Sequence, residues 1–152
     1  MSNRYQLVVF TLGEQRYALK LDAVERVLRA AEISPLPNTP EIVMGVINIR
    51  GQIVPVINTR RRFLLPEREI SLTDLFIMAR TSKRNVVLVA DAVNGLVERS
   101  ERDVVTAEEI LGELECVEGV MKLDDGLVFI HDLERCLSLE EERMLDDAMG
   151  SA

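Results

Sequence analysis

The 152-residue sequence predicts a mainly β fold made of two related halves, on three observations. First, Val46 to Ile49 and Ile53 to Ile57 are β-branched runs separated by Arg50-Gly51-Gln52, the pattern of two antiparallel strands and a tight turn, with Gly51 there to take a positive φ if the turn needs one. Second, this stretch occurs twice. Gly119 to Ile130 lies over Gly45 to Val56 without a gap, Asp132-Leu133-Glu134-Arg135 meets Asn58-Thr59-Arg60-Arg61, and Asp91-Ala92-Val93 repeats Asp22-Ala23-Val24, each after an apolar run. Order and spacing agree as well as residue type, which is what an internal duplication leaves behind. Third, apolar residues are 47% of the chain but aromatic ones only 4%, with no Trp, so the core is one of Val, Ile and Leu.

In order, Tyr5 to Leu12 and Arg16 to Leu21 read as a hairpin around Gly13-Glu14-Gln15, since Tyr17, Leu19 and Leu21 alternate with polar or small residues. Asp22-Ala23 is a turn or a single helical turn, and Val24 to Ala31 is a third strand. Pro35, Pro37 and Pro40 mark a loop. Thr39-Pro40-Glu41 has the form of an N-cap with proline at the first helical position, which predicts one helical turn over Pro40 to Met44. The Gly45 hairpin follows, and Asn58 or Thr59 caps a short helix through Leu65.

Pro66 to Ser71 is charged and poor in strand formers, so it connects the halves, 5–65 and 72–137; it is short enough that they touch, and strand exchange between them is left open. Strands resume at Asp74 to Thr81 and Asn85 to Ala90 around Ser82-Lys83, and again near Gly95 to Glu98. Between Arg99 and Glu115 two readings stand: a helical turn starting at Thr106 to Ile110, or a strand at Asp103-Val104-Val105. Cys116 to Leu123 and Leu127 to Ile130 form the second copy of the hairpin, with His131 to Leu137 as its short helix. Ser138-Leu139-Glu140-Glu141 is a capping box that opens a terminal helix over 138–152, with Leu145, Ala148 and Met149 on one face.

A net charge of −8 counts against nonspecific nucleic-acid binding, which needs a broad basic surface. Met1 to Tyr5 is polar and Leu7 to Phe10 is too short for the apolar core of a signal peptide, and no stretch approaches the roughly 20 apolar residues of a membrane span, so direct membrane insertion is not expected. Cys116 and Cys136 form no spacing motif and suit a reducing cytoplasm, as packing residues. No metal or cofactor is expected: there is no phosphate-binding glycine loop, no H-E-x-x-H pattern and no ligand cluster. His131, the sole histidine, falls where the first copy has Ile57 and has no nucleophile near it in sequence. Asp22 and Asp91 precede turns, where a carboxylate caps backbone N–H groups. Glu140-Glu141-Glu142 reads as a solvated first turn favoured by the helix dipole.

Arg50 stands apart. The second copy builds the matching turn with Asp124, so folding does not demand a cation there, and an arginine held on a rigid hairpin can meet a carboxylate through two parallel hydrogen bonds. Arg60, Arg61 and Arg62 add charge nearby, but on a short helix they point in different directions and read as a solvated surface.

Phe10-Thr11-Leu12-Gly13, Asn38-Thr39-Pro40 and above all Gly45-Val46-Ile47-Asn48-Ile49-Arg50-Gly51 with Ile53-Val54-Pro55-Val56 resemble the CheW-like family of bacterial chemotaxis coupling proteins, from about Tyr5 into the terminal helix. The resemblance implies two pseudo-symmetric five-stranded SH3-like or OB-like barrels packed side by side, with no catalysis. It implies a cytoplasmic adaptor that couples the tips of methyl-accepting chemoreceptors to the regulatory domain of a CheA-type histidine kinase in membrane-associated arrays. No phosphotransfer or kinase segment accompanies it, which favours the free-standing coupling protein over the related kinase domain. The receptor-facing residues it implies are Val24, Val27, Asn48, Arg50, Val93 and Leu96; it assigns no kinase-facing residues. Three positions depart from the family pattern: Arg26, where relatives can carry an acid, Asn58, where aspartate is common, and Val87, often glycine. Three other readings are weighed against it. An OB-like barrel binding single-stranded nucleic acid needs aromatic platforms and a basic groove that this composition lacks. An enzyme would have to use His131 and Asp132. An adaptor of the same kind could serve a pathway other than swimming.

Overall fold

The computed structural model describes residues 4–106 and 116–150. In chain order the elements are β1 Arg4–Leu12, β2 Gln15–Lys20, β3 Val24–Arg29, β4 Val43–Ile49, β5 Gln52–Ile57, α1 Thr59–Arg62, β6 Leu75–Arg80, β7 Asn85–Ala90, β8 Ala92–Ser100, β9 Val104–Thr106, β10 Val117–Leu123, β11 Gly126–His131 and α2 Leu139–Gly150. They form a five-stranded sheet in the order β3-β6-β7-β5-β4 and a six-stranded sheet in the order β8-β1-β2-β11-β10-β9.

The repeat is visible residue by residue. Gly45 pairs with Val56, Ile47 with Val54 and Ile49 with Gln52, with a bulge between Val43 and Gly45. In the other sheet Gly119 pairs with Ile130, Met121 with Val128 and Leu123 with Gly126, with a bulge between Val117 and Gly119. The one parallel pair in each sheet is equivalent too: β5 meets β7 at Val56 and Val87, and β11 meets β2 at Ile130 and Ala18. Each sheet nevertheless draws on both halves of the chain. The N-terminal hairpin β1–β2 joins β8 to β11, and the β6–β7 hairpin joins β3, β4 and β5, so the two copies exchange a hairpin reciprocally.

Gly45 and Gly119 hold the same place because another piece of backbone crosses there. A Cβ on Gly45 would sit 2.4 Å from the Ser34 carbonyl oxygen, and Gly45 also has φ +148°; a Cβ on Gly119 would sit 2.9 Å from Val104 Cγ1 and 3.0 Å from the Val105 oxygen. Val46 faces Pro55, which has no N–H, and turns its own N–H and carbonyl outward to Ser34, each at 2.9 Å. The strand β9 is the fuller version of that Ser34 bridge, which is why the second sheet has six strands and not five.

Apolar side chains gather in three clusters. Ile47, Ile49, Val54, Val56, Phe76 and Val87 fill one sheet's interior, while Leu7, Val9, Met121, Val128 and Ile130 fill the other's. The third, with Phe10, Leu12, Tyr17 and Leu19 from one sheet and Ile77, Val86 and Leu88 from the other, is the seam between them. α2 closes the seam with Leu145, and Ala148 and Met149 lie half-buried on the same side. Its capping box forms as expected: Ser138 Oγ accepts from Glu141 N at 3.1 Å and Glu141 Oε1 accepts from Ser138 N at 2.8 Å.

Several expectations are corrected. Pro40 to Met44 is a hydrogen-bonded turn, Val43 N donating to the Pro40 carbonyl at 2.9 Å, because Val43 is drawn into pairing with Ile57; Thr39 Oγ1 donates to Leu36 O and caps no helix. His131 to Leu137 is not a helix: His131 ends β11 and a single 3-10 turn covers Leu133–Arg135. The strand expected near Gly95 to Glu98 does form, as part of the nine-residue β8, and of the two readings after Arg99 the strand is observed, as β9 following a 3-10 turn at Glu101–Asp103. The alternative helical start lies, beyond Thr106, outside the described residues.

Candidate functional site

The third strand of each copy brings four of the expected residues onto one kind of surface. Val24 lies opposite Ala79 and Val27 opposite Ile77, although residues three apart on a regular strand face opposite ways. A bulge between Val24 and Arg26 inserts the extra residue that restores the phase. The other copy has the same device: Val93 lies opposite Phe10 and Leu96 opposite Val8, with the register shifting between them. Ala79, Ile77 and Phe10 belong to the seam cluster, so all four side chains stand on the seam-facing sides of their sheets. Val24 and Val93 pack against the seam core, whereas Val27 is 41% and Leu96 59% exposed. Arg26 lies opposite Met78, on the other face from Val24 and Val27.

Asn48 and Arg50 are at the tip of the β4–β5 hairpin, on the strand at the far edge of the sheet from β3. Ile49 pairs with Gln52, leaving Arg50 and Gly51 as a two-residue turn with φ +51° and +88°. Positive φ at both central residues is the geometry that matches the twist of a hairpin, and it is costly for a residue with a Cβ. Asn48 Oδ1 accepts a hydrogen bond from Gly51 N at 2.7 Å across the turn. Both Asn48 and Arg50 are exposed, and Arg50 makes no salt bridge among the described residues.

The seam is tied at one end by a charge network whose partners are far apart in sequence. Asp91, just after β7, accepts from Arg60 Nη2 at 2.7 Å, from Arg68 Nη2 at 2.6 Å and from Gly13 N at 2.7 Å, and Arg68 also holds the buried Asp74 at 2.6 Å. Burial pushes the Asp91 carboxyl up, but the bonds from Arg60 and Gly13 and the two guanidinium charges outweigh it and hold the carboxyl at about 2. Asp91 thus caps a backbone N–H as the sequence suggests. The reading of Arg60 to Arg62 as a solvated surface is corrected. Arg60 is 12% exposed, Arg62 is bound to Glu141 at 2.6 Å, and Arg61 reaches Glu41 at 2.7 Å, so they do diverge, each to its own carboxylate. The acidic first turn of α2 is corrected likewise, since Glu142 is buried against Arg84 at 3.2 Å.

His131 is 2% exposed, its ring meets Phe63 edge-on at 4.9 Å, and neither ring nitrogen has a hydrogen-bond partner among the described residues. Desolvation, with Arg62 adding to it, holds the ring neutral down to about pH 3. Cys136 is kept a thiol, pushed up to about 12 by burial and then by the nearby Cys116 and Glu142. Both cysteines are buried and unbridged, as packing residues should be. Among the described residues no group of His, Cys, Asp and Glu could hold a metal ion. Asn58 keeps its cap role, accepting from Arg61 N at 3.1 Å, and Val87 is wholly buried in the first sheet's core, so its departure concerns packing.

What the sequence missed is the support around these residues: the bulges that align Val24 with Val27 and Val93 with Leu96, the Asn48 bond, and the Asp91 network. The spacing Asn48-x-x-Gly51 and the recurrence of Asp22 as Asp91 were the local signals available. A CheW-like domain model matches residues 6–141. The chain is 27% identical over 138 residues to the chemotaxis protein CheW of Rhizobium meliloti, covering 90% of this chain and 89% of that one. It is 28% identical over 135 residues to the chemotaxis protein CheW of Thermotoga maritima, covering 88% and 87%. The crystal structure of the scaffolding protein TtCheW from Thermoanaerobacter tengcongensis superposes with a TM-score of 0.83 at 29% identity, over 91% of this chain and 96% of that one.

Proposed function

The chain belongs to the CheW-like domain family, and from that premise we propose that it is a chemotaxis scaffold, acting without catalysis, that couples the cytoplasmic tips of chemoreceptors to the regulatory domain of a CheA-type histidine kinase. Its place is the cytoplasmic face of receptor arrays; no helix among the described residues is long and apolar enough to cross a membrane. The receptor-facing surface is Val24, Val27, Val93 and Leu96 along the seam, with Arg50 at the hairpin tip on the turn that Asn48 closes. The observation that carries this reading is the exposure of Val27 and Leu96 at equivalent places in the two copies, each beside a valine, Val24 or Val93, that packs against the seam. Equivalent exposed apolar side chains beside the seam suit the apolar side of a receptor helix, and an exposed arginine without a salt bridge among the described residues suits an acid on it.

Calorimetric titration against a receptor tip fragment tests this. Val27→Glu and Leu96→Glu should each weaken binding at least about tenfold, as charging the centre of an apolar contact does. Arg50→Ala should weaken it and Arg50→Glu more so, while thermal unfolding of all four moves by no more than about half a kcal/mol, as surface changes do. Wild-type affinity in all four variants would sink the assignment of this surface.

A further inference from the structure

We propose that Asn48 is a positioning residue, whose side chain locks the β4–β5 turn so that Arg50 is held in a left-handed conformation facing an acidic group of the partner, and is not itself a partner contact. This rests on the reading of Arg50 as a receptor contact. The turn contains two residues, and the ladder closes at Ile49 and Gln52, so the Gly51 N–H has no strand partner. Asn48 Oδ1 takes that N–H at 2.7 Å. The bond fixes the orientation of the peptide between Arg50 and Gly51, which is set by ψ at Arg50 and φ at Gly51, and so holds closed the turn in which Arg50 takes φ +51° and Gly51 φ +88°.

The second copy serves as an internal control. Lys122 stands where Asn48 does, and Asp124 and Asp125 take the places of Arg50 and Gly51. Neither aspartate has positive φ; the unusual conformation passes to Gly126, at +140°. The hairpin therefore closes in the same register without an asparagine and without a strained non-glycine residue. The left-handed turn is a feature of the copy that carries the arginine, and strain of this kind persists only where its surroundings enforce it. A left-handed residue directs its Cα–Cβ bond differently from a right-handed one, so relaxing the turn would re-aim the guanidinium while leaving the strands in place.

Two measurements decide the matter. In the free protein, the amide-to-α-proton coupling and the sequential proton distances at residue 50 report its φ. Asn48→Ala should move residue 50 out of the left-handed region, and Asn48→Asp, which keeps an acceptor oxygen, should leave it there. In titrations against a receptor tip fragment, Asn48→Ala should weaken binding at least about threefold when Arg50 is present and have no further effect in an Arg50→Ala background, the coupling expected of residues that act as one unit. A left-handed residue 50 in Asn48→Ala overturns the positioning role. So does an equal loss in both backgrounds, which would make Asn48 a contact in its own right. If Asn48→Ala changes the φ of residue 50 while Arg50→Ala binds like wild type, positioning of Arg50 stands and its reading as a receptor contact fails.

Discussion

Replacing His131 by isoleucine should make the protein more stable and remove a specific part of its acid sensitivity. The second copy places this imidazole where the first copy has Ile57, which is wholly buried. The ring is 2% exposed, and its two nitrogens, without partners among the described residues, forgo the hydrogen bonds they would make in water. Leaving a buried polar group unsatisfied costs about 1–3 kcal/mol, and the edge contact with Phe63 returns about 0.5–1.5 kcal/mol, so the net gain for His131→Ile near neutral pH is about 1 kcal/mol. For a chain of this length that raises the melting temperature by about 2–4 °C. The pH dependence is the sharper test. The folded ring titrates at about 3, below the unfolded value of 6.5, so the unfolded chain binds a proton that the native state refuses. Stability is therefore intact above about 6.5 and falls with acidification at about 1.4 kcal/mol per pH unit, reaching a loss of about 2 kcal/mol near pH 5. Denaturant unfolding of wild type and variant across that window reads both effects. A variant less stable at neutral pH, or one with an unchanged slope between about pH 6.5 and 5, would refute the picture of a neutral, unsatisfied ring.

Two further outcomes follow from the packing. Gly45→Ala should be the more damaging of the two repeat-related glycine substitutions, by about 2 kcal/mol or more, because it sets a Cβ against the Ser34 backbone at an unfavourable φ, whereas Gly119→Ala meets the movable Val104 side chain first; equal losses on urea unfolding would contradict it. Asp91→Asn should cost about 1–3 kcal/mol by weakening the hold on Arg60 and Arg68. The carboxyl's depressed pKa means its contribution is present above about 3.8 and lost as pH falls through about 2, so the variant's deficit should vanish in strong acid, as measured by thermal unfolding across pH.

The strands and the duplication were legible because their signals are local: β-branched runs, turn residues at fixed spacing, a capping box. The equivalence of the two hairpins could be written down by laying Gly119 over Gly45, whereas the turn proved shorter than the three residues read for it, since Gln52 pairs with Ile49. Other features depend on contacts between distant residues, and periodicity does not encode them. Arg60 looks like a solvated charge until Asp91 is brought beside it, and Arg62 until Glu141 is. Thr39-Pro40 has the local form of a helix start, but pairing of Val43 with Ile57 extends the strand and overrides it. At the candidate site, Arg50 and its turn were readable, whereas the shared face of Val24 and Val27 was not, because a single bulge reverses the parity on which a strand's faces are assigned.

The reciprocal exchange of hairpins also governs when the protein can become native during its synthesis. β1 and β2 are made first, yet the strands they hydrogen-bond to, β8 and β11, are among the last. At usual translation rates the N-terminal hairpin waits on the order of ten seconds with both edges unpaired. For that interval Leu7, Val9 and Phe10, all buried in the finished fold, face whatever the nascent chain meets. A stop anywhere before β8 releases a chain whose first hairpin has no sheet to complete.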